Sequence, residues 1–168
     1  MDRRIGPKFL HPGPGFGGSC FPKDLKALVN MARDNDYEFK IAEAIVAVNE
    51  HQREIVVDKV RKVLGGFDGK TVTLLGLSFK PNTDDIRESP ALHIAEALLQ
   101  EGARIHAYDP AAMDPAKKVL PDVRFFKDPY TACTDSDGVI IVTEWNEFRD
   151  LQLKKIKELL KTPVLFDT

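Results

Sequence analysis

At 168 residues, 43% apolar and with a formal charge of −2, the chain can build one ordinary domain plus an added element around a real core. That charge balance excludes a basic nucleic-acid groove and an acidic interaction tail. No apolar run approaches the roughly 20 residues of a bilayer span, and no signal peptide opens the chain. The two cysteines, Cys20 and Cys133, lie far apart in unlike sequence. They read as neither a disulfide framework nor a zinc site, and a reducing, cytosolic compartment is expected. Both ends read as cuts. Glycine-rich sequence follows Asp2-Arg3-Arg4-Ile5-Gly6 almost at once, and the chain stops at Phe166-Asp167-Thr168, just past an apolar run.

Residues 1 to about 24 form a loop rich in Gly and Pro. A helix is expected after Pro22, with Asp24 in its first turn, where a carboxylate suits the macrodipole. Leu25, Leu28, Val29 and Ala32 give that helix an apolar face, and Asn35-Asp36 break it. Ile41, Ile45, Val48, Gln52, Ile55, Val56, Val60 and Val63 then recur at steps of three and four. They predict a long amphipathic helix ended by Gly65-Gly66. At 1.5 Å per residue it would be roughly 40 Å long, a length suited to joining two domains or packing on a partner, although an ordinary bundle helix has the same pattern.

From residue 70 the pattern alternates strand and helix, as in a parallel α/β unit. Strands are predicted at 71–75, 104–108, 122–126, 138–142 and 164–166. Between them, Ser89-Pro90 is an N-cap followed by proline at the first helical position, and Ile94, Ala95, Leu98 and Leu99 form that helix's inner face. Short helices are predicted at 129–134 and 154–161, the lysines of the second being its wet face. The fold class is therefore α/β: a doubly wound, Rossmann-like parallel sheet preceded by a long helix and a Gly-rich catalytic loop. Two regions are expected, 1–66 for the cysteine loop and helices and 67–168 for the sheet. Ligands of such a sheet lie beyond the carboxyl ends of the strands.

Gly13-Pro14-Gly15-Phe16-Gly17-Gly18 matches G-x-G-x-x-G in letters only. The dinucleotide fingerprint needs a strand before it and a helix starting within it, and the prolines at 12 and 14 forbid that turn. The same glycines suit a backbone cradle whose amides hold hydroxyls or phosphate oxygens. Cys20 is set into this loop just before a helix start and beside Lys23, and both surroundings favour the nucleophilic thiolate. Asp24 follows one helical turn on, a candidate base or water-positioning group. Cys133 has no such setting and reads as a buried structural cysteine. After the first strand, Gly76-Leu77-Ser78-Phe79-Lys80-Pro81 lacks the multi-glycine fingerprint. There Phe79 could pack on a base and Lys80 reach a phosphate, while Arg87 precedes a helix cap where an anion would bind. Each of these also reads as a surface charge or a packed aromatic.

The run Gly15 to Asp24, GFGGSCFPKD, resembles the catalytic-cysteine segment of UDP-glucose 6-dehydrogenases, members of the UDP-glucose/GDP-mannose dehydrogenase family. Gly76 to Pro90, GLSFKPNTDDIRESP, resembles the opening of that family's C-terminal nucleotide-binding domain, and Asp109-Pro110 and Thr143-Glu144-Trp145 fit the same domain. GDP-mannose enzymes usually carry Leu where Phe21 stands, and amino-sugar enzymes usually read GGHCIP, so the resemblance favours UDP-glucose.

The resemblance implies a four-electron, NAD-dependent oxidation of UDP-glucose to UDP-glucuronate through a thiohemiacetal and a thioester on Cys20. Asp24 then helps position water. Phe9, Leu10, His11, Pro12 and Gly13 fall on the substrate-cradling loop, and Gly17 on a further substrate contact. Arg4 corresponds to an arginine that reaches the substrate of the neighbouring subunit in a homodimer built on the long helix. Phe79 and Lys80 correspond to contacts with the substrate's nucleotide, and Lys23 and Arg87 to contacts with NAD. The family's N-terminal NAD domain, with its catalytic lysine and asparagine, has no counterpart here, so this polypeptide by itself is expected to be inactive. The competing expectations are a GDP-mannose or other nucleotide-sugar dehydrogenase, and a UDP-sugar-binding module without chemistry. A free-standing NAD-binding protein is disfavoured by the missing fingerprint.

Overall fold

The computed structural model describes residues 12–168. Helix α1 (Phe21–Asp34) takes Pro22 into its first turn, where the missing amide proton is harmless, and stops at Asn35 and the left-handed Asp36 (φ 54°). Helix α2 (Lys40–Leu64) has 25 residues and ends in left-handed Gly65. Its inner face corrects the sequence expectation. The buried stripe runs Ala42, Asn49, Arg53, Val56, Val57 and Val60, whereas Ile41, Ile45 and Val48 are exposed. In the N-terminal half the apolar residues therefore lie beside the buried stripe, and two polar side chains occupy it.

Strands β1 (Thr71–Leu75), β2 (Arg104–Tyr108), β3 (Arg124–Phe125), β4 (Gly138–Ile141) and β5 (Leu165–Asp167) form one sheet in the order β3-β2-β1-β4-β5. Every neighbouring pair is parallel, and the direction of winding reverses at β1, whose residues are all buried. Between strands lie α3 (Pro90–Gln100), α4 (Met113–Val119), α5 (Pro129–Cys133), α6 (Asn146–Arg149) and α7 (Leu153–Leu159). The doubly wound parallel sheet is as expected. Helices α4 and α6 are additional to the sequence reading.

Alternation along the strands divides the core. Val72, Leu74, Ile105, Ala107 and Ile140 face α2, α3 and α4, meeting Val56, Val60, Ile94 and Leu98. Leu75, Tyr108 and Val139 face α5, α6 and α7, meeting Cys133, Phe148 and Ile156. Helix α3 begins as predicted: Ser89 Oγ accepts from Ala91 N at 3.3 Å and donates to Leu77 O at 2.7 Å, tying the helix to the chain leaving β1. The α2–α3 packing fixes the long helix to the sheet, and Gly17 and Gly18 of the loop before α1 meet Phe79 and Arg87 in the turn that follows β1. Among the described residues no helix is long and apolar enough to cross a membrane.

Candidate active site

The glycine loop threads between α2 and the turn that follows β1. Asn49 of α2 accepts from Phe16 N at 2.7 Å and donates to Phe16 O at 3.1 Å. Two residues on, Gly18 N donates to Arg87 O at 2.8 Å. Gly18 is buried in a left-handed conformation (φ 88°), and a Cβ there would strike the Phe79 ring. At Gly17 a Cβ would collide with the carbonyl of Glu88 and come within 3.1 Å of Phe79 Cβ. These glycines are therefore packing residues that let the loop lie flat on the α/β unit.

That seat delivers Cys20 to the N-cap position of α1, with its thiol exposed and its Sγ 3.7 Å from Ser19 Oγ. An open groove of about 900 Å³ runs beside it, lined by Cys20, Lys23, Lys26, Arg87 and Glu88 among others. Arg87 is forked onto Asp85 by Nε–Oδ1 at 2.9 Å and an NH2–Oδ2 contact at 2.6 Å. These hydrogen bonds hold the Asp85 carboxyl below its ordinary range. The Asp24 carboxylate lies 3.1 Å from Lys23 Nζ, both side chains being well exposed. Lys23 lines the groove, and the carboxylate faces its ammonium. Cys133 is fully buried, and burial pushes its thiol up to about 12, as expected of a structural cysteine.

At the end of β1 the strand-to-helix turn is closed. Gly76 is left-handed (φ 93°), and a Cβ there would stand 2.5 Å from Thr143 Cβ. Asp109, wholly buried at the end of β2, accepts from Leu77 N at 2.6 Å, Ser78 N at 3.1 Å and Trp145 Nε1 at 3.1 Å through one oxygen. Its other oxygen accepts from Ala111 N at 2.8 Å and Ala112 N at 2.7 Å. The amides that would cradle a pyrophosphate in a dinucleotide fold are thus occupied by a carboxylate. The residues of this turn do not fit a dinucleotide.

The UDP-binding-domain model of the UDP-glucose/GDP-mannose dehydrogenase family matches residues 73–168, and the central-domain model of the same family matches residues 1–51. The chain belongs to that family. Among curated relatives it is 48% identical to UDP-glucose 6-dehydrogenase of Rhizobium meliloti over 99% of its own length and 38% of the relative's. It is equally similar, at 48%, to UDP-glucose 6-dehydrogenase TuaD of Bacillus subtilis, covering 99% of this chain and 36% of that one. The chain thus spans under two fifths of these relatives' length. A solved UDP-glucose dehydrogenase from Pyrobaculum islandicum superposes with a TM-score of 0.87 at 39% identity, over 99% of this chain and 40% of that one. A GDP-mannose dehydrogenase from Pseudomonas aeruginosa superposes at 0.81 and 29% identity, over 97% and 38%.

Within this family chain the remaining candidates fall in two places. Phe79, half-buried, turns its ring to Gly18, and Lys80 Nζ sits 5.2 Å from the centre of that ring. Pro12 borders a hollow of about 430 Å³ at the carboxyl ends of β4 and β5, with Trp145, Arg149, Asp167 and Thr168. Gly13 is exposed, with open space where a Cβ would point. Arg4, Phe9, Leu10 and His11 lie outside the described residues. The structure thus brings Cys20, Lys23 and Arg87 to one groove and sets Phe79 against the loop that carries the cysteine.

Two residues absent from the sequence reading hold this arrangement: Asn49, and Arg53, whose NH2 donates to Phe16 O at 3.3 Å and Glu88 O at 3.4 Å. Their only signal is register, since they sit seven and eleven residues after Ala42 on the stripe that continues to Val56 and Val60.

Proposed function

We propose that this chain is the cysteine-loop, central-helix and UDP-sugar-binding part of an NAD-dependent UDP-glucose 6-dehydrogenase. The supporting observation is an exposed Cys20 at the head of a 14-residue helix, in a groove shared with Lys23 and Arg87. That groove lies on a loop clamped to a domain of the UDP-binding type. Among the solved structures, the higher identity to the UDP-glucose enzyme than to the GDP-mannose enzyme, 39% against 29%, favours UDP-glucose as substrate.

In this reading residues 1–66 carry the nucleophile and the dimer helix, and residues 67–168 hold the nucleotide of the substrate. NAD⁺, bound mainly by a part of the protein outside this chain, supplies the hydride acceptor. Cys20 Sγ adds to the C6 aldehyde of the half-oxidised sugar and holds it as a thiohemiacetal. After the second oxidation the same sulfur carries the acyl group as a thioester. Water attacks the acyl carbon, the carbon–sulfur bond breaks, and the thiolate is returned with release of the carboxylate. Asp24, one turn along α1, orients that water. Lys23 and Arg87 present cations to the phosphates of the cofactor. Phe79 and Lys80 contact the nucleotide of the substrate. Phe9, Leu10, His11, Pro12 and Gly13 cradle the sugar nucleotide, Gly17 adds a further substrate contact, and Arg4 reaches the substrate bound in the neighbouring subunit. A second copy of the chain covers the exposed Ile41, Ile45 and Val48 of α2 to form a homodimer.

The test is the stoichiometry of the full-length enzyme. Two NADH per UDP-glucose, little turnover of GDP-mannose, and loss of UDP-glucuronate in Cys20→Ser are expected. Unchanged four-electron turnover in Cys20→Ser would overturn the assignment. The 168-residue polypeptide by itself should form no NADH, because the turn after β1 offers no dinucleotide cradle.

A further inference from the structure

We infer that Asn49 and Arg53 are positioning residues that grip the cysteine loop by its Phe16 peptide and so keep Cys20 on the cation-lined side of its groove. The inference deepens the proposed function and rests on Cys20 being the reacting thiol.

The grip is made of side chains acting on main chain. The primary amide of Asn49 satisfies both the N–H and the C=O of Phe16, at 2.7 and 3.1 Å, as a neighbouring strand would. One turn later the Arg53 guanidinium reaches the same carbonyl at 3.3 Å and the carbonyl of Glu88 at 3.4 Å. It thereby bridges the loop, α2 and the entry to α3. The close approach also requires glycine at position 15, where a Cβ would stand 2.7 Å from Asn49 Oδ1. With Phe16 fixed to the helix and Gly18 N fixed to Arg87 O, only Ser19 remains before Cys20.

Stability alone is a poor account of these two side chains. They are 8% and 9% exposed, on a stripe whose other members are Ala and Val. Among the described residues, buried Arg53 Nε has no hydrogen-bond partner. Desolvation lowers the pKa of the guanidinium, opposed by the charges of Glu88 and Glu50. A buried charge so incompletely matched is a weak source of stability, and an apolar side chain of similar volume would often pack at least as well. What the pair provides is a fixed location for the loop.

The experiment compares alkylation of Cys20 by anionic iodoacetate and neutral iodoacetamide in the full-length protein, read by peptide mass spectrometry. Cys133, fully buried, reports unfolding in the same digest. In the parent protein, Lys23 and Arg87 should raise the iodoacetate-to-iodoacetamide rate ratio above that of a free small thiol. Arg87→Gln should lower it as a control. Asn49→Ala and the volume-matched Arg53→Met should lower the ratio about threefold or more while Cys133 stays protected. If Asn49→Ala exposes Cys133, Asn49→Asp and Arg53→Met decide. Folded variants that keep the parent ratio overturn the inference. A full-length enzyme that fails to oxidise UDP-glucose, yet shows these ratio changes, overturns the proposed function and leaves the positioning role intact.

Discussion

The ring of Phe79 lies on the main chain of Gly18, so close that a Cβ on that glycine would stand 2.8 Å from ring carbon Cε2. One contact thus couples the turn after β1 to the residue two places before Cys20. Gly18→Ala should destabilise the protein by about 2 kcal/mol or more, combining left-handed backbone strain with the collision. Phe79→Ala removes the collision. The double variant should then lose less than the sum of the singles, by about 1 kcal/mol in a double-mutant cycle. Urea unfolding followed by emission of the single tryptophan, Trp145, measures all three.

Asp109 collects main-chain amides from two strand ends and the indole N–H of Trp145 on one buried carboxylate. Asp109→Asn turns one acceptor oxygen into a donor facing other donors. A loss of about 2–4 kcal/mol is expected from the unmatched buried groups. Urea unfolding gives the loss, and a shift in Trp145 emission at zero denaturant shows whether the indole has been released.

His106 and His93 give the fold an acid limit. Burial, the leading cause in each case, holds both below the ordinary histidine value of 6.5. His106 Nδ1 lies 3.0 Å from Ala132 O and opposes that shift, while Arg124, Arg104 and Lys161 add to it. The unfolded chain therefore takes up protons first as pH falls. The contribution of the neutral rings is present above about 6.5 and is lost as pH drops toward their depressed folded values. The melting temperature should decrease from about pH 7.5 to 5.5, and His106→Gln should flatten part of that slope, measured by thermal melts across the range.

The proposed dimerisation through α2 predicts a sharp response at the exposed face of that helix. Ile45 and Val48 are 40% and 58% exposed and border an apolar hollow of about 460 Å³ beside Phe16. Ile45→Glu should leave the melting temperature of the subunit core nearly unchanged but shift the protein from dimer to monomer in light scattering. Retention of the parent mass would refute the role given to this helix.

The sequence disclosed the sheet better than the site, for physical reasons. Strands β1 and β2 were legible residue for residue, because a buried run ending in glycine and an alternating run ending in Asp-Pro admit few alternatives. Helix α4 was hidden by Pro115 within its seven residues and by its short apolar face, and four-residue α6 is too short for any period to register. On α2, periodicity tracked Ile41, Ile45 and Val48, whereas the fold buries the adjacent stripe with Asn49 and Arg53 on it. A polar residue on an amphipathic helix reads as wet unless its distant partner is known, and Phe16 lies 33 residues from Asn49. Cys20 was legible because its surroundings are local. The packing of Gly17 and Gly18 on Glu88 and Phe79 was not, since it joins segments about 60–70 residues apart.

The central claim is that Cys20 carries the sugar covalently between the two oxidations. Acid-quenching the full-length enzyme during turnover with UDP-glucose and NAD⁺, followed by peptide mass spectrometry, tests it most directly. The account predicts an adduct with the mass of the UDP-glucuronyl group on the Cys20 peptide, absent without NAD⁺ and increased when Asp24→Asn slows hydrolysis. An adduct on another residue, or full turnover with Cys20 never modified, would contradict it.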